Sequence, residues 1–349
     1  MELATLIEHY LPALKAHYAD RLLPGHLRAI SAIRRCRTAA SGQFQLRCPA
    51  CATQQRHPRS CGHRSCPKCQ NHAATQWLER QRAKLLPVEY FMATFTLPRE
   101  LRALAWHHQT VMYNILFAAA SSTLKDFGLT PRHLGAELGM SAVLHTHSRR
   151  LDYHPHVHVI VPGGGVDRAR RQWKKTKGKY LFNARALATV FRARVLATVN
   201  EAGLPLPRTV PAKWVIHCTR VGSGEPALKY LSRYLYRGVV SEKNIIAHHN
   251  GMVTFRYIDA STGTTQYRSL RGEDFLWRVL QHVLPKGFRR IRDYGFLHGN
   301  ATKTLALVQW VLRVVIAAGI TRPRPAFTCP KCKTPMHIQG FIRPAWPPG

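Results

Sequence analysis

Acidic residues are scarce in this chain: 17 Asp+Glu stand against 52 Lys+Arg among 349 residues, a formal charge of +35. With so little counter-charge of its own, a soluble fold needs a polyanion, and nucleic acid is the usual one. Long apolar runs are also missing. The most apolar helical stretch, Leu305 to Ile320, is short and carries Gln309 and Arg313, which argues against a membrane partner. The opening MELATLIEHYLPAL holds two glutamates and no basic n-region, so no secretory signal is expected. A bacterial cytoplasmic, nucleoid-associated location is the corresponding expectation. Nine cysteines in such a setting point to metal binding rather than disulfides.

Hydrophobic residues at 45% are normal for a globular chain of this length. Residues 2–38 read as two helices split by Pro24-Gly25, with Leu3, Ile7, Leu11 and Leu14 at helical spacing. A cysteine-rich segment and a basic helix from about Ala73 to Leu85 follow. The period then changes. Strands are expected at Val88 to Leu97, Gly139 to His147, His156 to Val161 and within Val210 to Val221, with a hairpin around Ser261-Thr262-Gly263. Helices are expected at 99–127, 184–202, 225–237, 273–283 and 302–318, and the basic stretch DRARRQWKKTKGKY reads as a loop. This order is no doubly wound alternation; it suits an α+β architecture, an antiparallel sheet with helices on one face. The expected partition is a helical, zinc-binding DNA-binding domain at 1–84, a catalytic domain at 85–260, and a C-terminal unit of hairpin, helices and Cys-containing basic tail at 261–349.

Three constellations carry chemistry. His156 and His158 alternate onto one face of a strand, with Val157 on the other. If the preceding strand pairs His145 with His156, three imidazoles share a face and suit a divalent ion such as Mg²⁺ or Mn²⁺ acting as Lewis acid; His147 and His154 are the substitutes. In EPALKYLSRYLYR, Tyr230 and Tyr234 are four apart and neighbours on one helical face, beside Arg233 and Arg237. A phenol keeps its proton to about pH 10, so guanidinium groups and a polarised phosphate are what make it a nucleophile. Cys48-Pro-Ala-Cys51 and Cys66-Pro-Lys-Cys69 are paired knuckles that match a structural tetrahedral zinc. Arg64 and Lys68 crowd them and favour phosphate contacts, as do Lys174 and Lys175 in the basic stretch. Cys36 and Cys61 are left over, either ordinary buried thiols or, with His57 and His63, a second zinc. Cys329-Pro-Lys-Cys332 is a third knuckle, which alone cannot complete a site.

In order along the chain, CRT at 36–38, SCGHRSCPKCQ at 60–70, LLPVEYFMATFTLP at 85–98, AVLHTHSRRLDYHPHVHVIVPGGGV at 142–166, KYLSRYLYR at 229–237 and HVLPKGFRRIRDYGFL at 282–297 resemble the insertion-sequence ninety-one family of two-tyrosine HUH transposases. The resemblance implies an N-terminal zinc-binding domain and an HUH-type sheet with His156 and His158 as metal ligands. It also implies Tyr230 and Tyr234 as nucleophiles and rolling-circle transposition, with single-stranded and element-end DNA as partners. Phe44 departs from the family, whose members often carry histidine there. Two other readings accompany it: a rolling-circle replication initiator or relaxase with the same chemistry, and a non-catalytic zinc-finger DNA-binding protein.

Overall fold

The computed structural model describes residues 1–69, 71–176, 181–226, 228–229, 239–259, 262–315 and 326–344. The N-terminal part holds α1 (Leu3–Tyr18), α2 (Pro24–Arg35), β1 (Gln43–Arg47), β2 (Gln54–Pro58) and α3 (Asn71–Arg82). The middle runs β3 (Tyr90–Thr96), α4 (Arg102–His107), α5 (Gln109–Leu129), β4 (Gly139–His147), β5 (Tyr153–Pro162), β6 (Gly164–Asp167), β7 (Gln172–Lys175), α6 (Ala184–Glu201) and β8 (Ile216–Gly222). Then come β9 (Ile245–His249), β10 (Met252–Ile258), β11 (Thr265–Arg271), α7 (Gly272–Leu280), β12 (Ile291–Gly295), α8 (Thr302–Val311), β13 (Phe327–Thr328) and β14 (Pro335–Ile342).

The main sheet has the order β12-β4-β5-β3-β8, antiparallel throughout. Alternation sends Phe91, Ala93 and Phe95 of β3, Leu144 of β4 and Val157 and Val159 of β5 into one apolar cluster. There they meet Tyr113, Leu116 and Phe117 of α5 and Leu187, Phe191 and Val195 of α6. Burying side chains of this size is worth roughly 1.5–3 kcal/mol each, so this face fixes the sheet. The opposite face carries the histidines, and part of it is covered by Trp77 of α3 and by Leu228, which pack on Tyr90, Val143 and Ile160. The fold is therefore α+β, as the strand pattern implies. The triple glycine does more than end β5: a Cβ on Gly164 would lie 2.6 Å from the Trp173 ring. That close approach lets β6 pair with β7, so part of the basic stretch expected as a loop is a hairpin. β5 also begins earlier than its apolar residues, at Tyr153.

Packing crosses the expected domain boundaries. Leu6, Ile7 and Tyr10 of α1 and Ile30 and Ile33 of α2 share one core with Val253 and Phe255 of β10 and Phe275, Leu276 and Val279 of α7. Tyr18 stacks on Trp277, centroids 4.8 Å apart, and its hydroxyl donates to Asp274 at 2.6 Å. The C-terminal part is not a separate unit either: β12 forms the edge of the main sheet beside β4, and β14 pairs with β1 in a sheet ordered β13-β14-β1-β2. The strand expectation missed β12 because Ile291–Gly295 (IRDYG) alternates only weakly and its pairing is made across 150 residues of chain. Pro24, expected as the break between helices, is instead the first residue of α2, where its missing N–H costs nothing. No described helix is long and apolar enough to cross a membrane.

The contact between α1 and α7 is tight enough to test. A Cβ on Gly272 would sit 2.3 Å from ring atoms of buried Tyr10. Gly272→Ala should therefore cost about 1–3 kcal/mol by overpacking, read as a lower thermal midpoint; an unchanged midpoint would show that α1 is not held there.

Candidate active site and zinc clusters

β4 and β5 pair with His145 opposite His156, and His158 follows two residues along the same face. One ring nitrogen from each of the three lies within 4.8 Å of those of the others. Ring centroids are 5.2 Å apart for His145 and His156, 4.4 Å for His145 and His158, and 4.9 Å for His156 and His158. Two of the rings are oriented from behind. His156 Nδ1 donates to the His154 carbonyl at 2.6 Å, and His158 Nδ1 bonds the Thr94 hydroxyl at 2.9 Å. With Nδ1 donating to a carbonyl, His156 Nε2 keeps the lone pair a metal uses. Burial, then the neighbouring histidines, hold His145 and His156 well below the ordinary histidine range, and burial pushes His158 down to about 4. All three are thus neutral near pH 7, which is the state a divalent ion requires. The donor set fits such an ion.

The histidines form the floor of a cleft of about 540 Å³ whose walls include Arg149, Arg150, Ser241, Asn244 and Arg256. One wall is the loop between β4 and β5, with Leu151 in the left-handed region at φ 64°. Asp152 ties this loop to β11 and α7. It accepts from Arg268 at 3.0 Å and Arg278 at 2.6 Å. Burial opposes ionisation of Asp152, but these arginines outweigh it and hold its carboxyl below the usual range. His147 and His154 lie at the margins of the floor. His147 faces His282, centroids 5.1 Å apart, and His154 bonds Arg102.

Tyr230, Tyr234, Arg233 and Arg237 lie outside the described residues, as does most of the helix expected at 225–237. The chain leading to them is described. Leu228 is buried on the histidine-bearing face of the sheet, and Glu225 pairs with Arg82 of α3 at 2.6 Å.

The cysteines assemble differently from the expected set of Cys48, Cys51, Cys66 and Cys69. Two fours form instead: Cys36, Cys61, Cys66 and Cys69, and Cys48, Cys51, Cys329 and Cys332. In the first, Sγ–Sγ distances are 3.5 Å for Cys36–Cys69 and 3.6 Å for Cys61–Cys69. In the second they are 3.3 Å for Cys48–Cys332 and 3.6 Å for Cys51–Cys329. Thiolates at about 2.3 Å around tetrahedral zinc are separated by only slightly more, so both sets fit the ion. The reason for the exchange is topological. Cys48–Cys51 occupies the turn after β1, and Cys329–Cys332 the turn after β13. The β1–β14 register, Arg47 opposite His337, brings those two turns to the same end of one small sheet. The Cys66–Cys69 knuckle, on the far side of β2, meets Cys36 at the end of α2. The third knuckle thus completes a site after all, and Cys36 and Cys61 are not spare thiols. The signal was countable: three C-P-x-C knuckles and two leftover cysteines make two sets of four, with Cys218 in β8 apart. Phe44 packs on Phe327 and Phe341 and belongs to neither set.

Of the expected phosphate-binding residues, Arg64 donates to the Phe288 carbonyl at 2.8 Å, and Lys68 pairs with Glu2 at 2.7 Å. Lys174 bonds the Gly135 carbonyl at 2.9 Å and pairs with Asp167 at 3.1 Å. Lys175 is exposed.

Comparison with known proteins adds an independent line. Residues 6–97 match the family model described as "Transposase zinc-binding domain", and residues 139–304 the one described as "Putative transposase". "Putative transposase y4qJ" of Sinorhizobium fredii (strain NBRC 101917 / NGR234) is 36% identical over 331 residues, 88% of this chain and 83% of its own. "Transposase for insertion sequence element IS801" of Pseudomonas savastanoi pv. phaseolicola is 29% identical over 311 residues, 81% of this chain and 72% of its own. A solved structure, "The structure of TrwC complexed with a 27-mer DNA comprising the recognition hairpin and the cleavage site", overlaps 65% of this chain and 75% of its own at 15% identity. Its TM-score is 0.28, too low to carry weight.

Two expectations follow from the geometry. The purified protein should carry two zinc ions per chain by elemental analysis, and Cys66→Ser and Cys329→Ser should each remove one; a single ion, or loss of both from either change, would contradict independent clusters. Acid should destabilise the fold over a defined window. His26, His158 and His282 are pushed by burial to about 4, 4 and 3, against 6.5 when unfolded. Between pH 6.5 and about 4 the unfolded chain therefore binds more protons, and stability falls as pH drops, about 1.4 kcal/mol per pH unit for each histidine. The urea midpoint should be level above pH 7 and drop below 6.5; a level profile across that window would mean these rings are not held neutral.

Proposed function

Because the chain belongs to the insertion-sequence ninety-one family of transposases, we propose that it moves DNA by nicking and rejoining single strands, in rolling-circle transposition. The observation that carries the reading is the convergence of three neutral imidazoles on the floor of a cleft rimmed by Arg149, Arg150 and Arg256. His145, His156 and His158 would hold a Mg²⁺ or Mn²⁺ ion, whose chemistry is to polarise the scissile phosphate. Tyr230 or Tyr234 supplies the nucleophile: its Oη bonds the phosphorus, its phenolic proton passes to solvent, and the P–O3′ bond breaks. The leaving 3′ oxygen takes up a proton, and the 5′ end stays on the protein as a phosphotyrosine ester that preserves the bond energy for rejoining.

Supporting this assignment, the segment entering the tyrosine region is anchored through Leu228 and Glu225 on the histidine-bearing face of the sheet. The arginines at the rim neutralise charge that develops on the phosphate. Arg233 and Arg237, each three residues after a tyrosine in sequence, are assigned the same role, and Arg64, Lys68, Lys174 and Lys175 are assigned to DNA contacts. The zinc clusters take no part in the chemistry, since four-thiolate sites leave no open position.

Replacing Tyr230 and Tyr234 together by Phe should abolish the covalent protein–DNA adduct while single-strand binding stays within a few-fold. His156→Ala should likewise remove the adduct, as should excess chelator, with two zincs retained in the histidine variant. An adduct that persists in the double Phe variant would end the tyrosine assignment; one that persists in chelator would end the metal assignment.

A further inference from the structure

We propose that a groove running from the first zinc cluster to the β12 edge of the main sheet is a second DNA-binding site, one that grips the phosphodiester backbone. Two clefts, of about 450 Å³ and about 1000 Å³, adjoin each other and share Lys286 and Gly287. The smaller is lined by Arg28, His63 and Arg64, the larger by Arg289, Arg292 and His298. Arg28, Lys286 and Arg289 are exposed, and no acidic side chain lies within ion-pair distance of them among the described residues. Among the described residues the one carboxylate lining the groove, Asp293, is committed elsewhere: it pairs with Lys84 at 2.8 Å and accepts from Ser141 at 2.7 Å.

These cations are mounted on fixed backbone. Arg64, placed by the Cys61–Cys66 segment, donates to the Phe288 carbonyl at 2.8 Å and so fastens the zinc cluster to the loop after α7. Arg292 lies over the Phe117 ring at 4.3 Å and the Phe288 ring at 5.3 Å, and it bonds Asn114. Phe288 is buried beneath it, so that ring holds an arginine and is not offered to a base. Gly287, at φ 75°, has nothing within 4 Å of where a Cβ would stand, leaving the backbone there open to close approach. Cations set along open backbone, with the Phe288 ring already covered, suit contacts to phosphates rather than to base edges.

The groove's position gives it a purpose. Leu144 donates its N–H to the Arg290 carbonyl at 2.9 Å, so the basic loop runs alongside the end of β4 that carries His145. DNA held here passes along the sheet edge next to the histidine cleft and is anchored whether or not it is cut. The proposal rests on DNA being the partner and is independent of the tyrosine chemistry.

The test is salt dependence. Full-length, zinc-loaded protein and its Lys286→Gln/Arg289→Gln variant are titrated by fluorescence anisotropy with one labelled oligonucleotide, single-stranded and as duplex, over a range of salt. Loss of two phosphate contacts should flatten the slope of log affinity against log salt by about 1.8 for duplex or about 1.4 for single strands; the arm that flattens identifies the form of DNA in the groove. Arg185→Gln/Arg208→Gln, an exposed pair elsewhere, should leave both slopes unchanged. Wild-type slopes in the groove variant overturn the proposal, and so does equal flattening by the control pair, which would mean diffuse charge. Adduct formation at saturating DNA is read in parallel: it should persist in the groove variant, and its absence from the wild type would count against the cleavage reading alone.

Discussion

His145 stands directly across the β4–β5 ladder from His156, and the side chains of a strand alternate with a period of two. A slip of one residue in this register would turn His145 toward α5 and put Leu144 into the cleft. The pairing is protected from the other face, where Leu144, Val157 and Val159 are locked against α5 and α6. Core packing and ligand geometry are therefore one constraint seen from two sides. The apolar side chains that look purely structural decide which way three imidazoles point. Thr94 extends the dependence to β3, because its place opposite His158 follows from the same ladder.

That period of two is also why so much of the histidine-bearing sheet was legible in the sequence. H-V-H within an apolar run has few ways to fold, and the strand positions around it follow from β-branched and aromatic residues. What the sequence hid was long-range. Nothing local in IRDYG announces a sheet edge, and nothing in Cys48 or Cys329 names the other as partner. Knuckle spacing argued for sequence neighbours; strand register assigned partners across most of the chain. The same holds for α1 and α2, whose amphipathic faces were evident but whose cover, β10 and α7, was not. Local periodicity reports which side of an element is buried, while the burying element is a property of topology.

The charge excess resolves into two populations. Some cations are structural, such as Arg268 and Arg278 on Asp152, Lys84 on Asp293, and Arg82 on Glu225. With only 17 acids in the chain against 52 Lys+Arg, few cations can be matched in this way. Others, such as Arg28, Lys286 and Arg289, face outward, where a polyanion relieves repulsion among them. Binding and folding are thus coupled through composition: a scarce acid such as Asp152 secures the loop at the histidine cleft, while surplus bases face solvent.

The two zinc clusters also keep different timetables. Cys36, Cys61, Cys66 and Cys69 leave the ribosome almost together, so the first cluster can close while synthesis continues. The second pairs Cys51 with Cys329, 278 residues apart, an interval on the order of tens of seconds of elongation. Throughout that interval the Cys48–Cys51 knuckle is a half-site, completed only when Cys329 and Cys332 arrive. Closure then makes the polypeptide a ring through a metal.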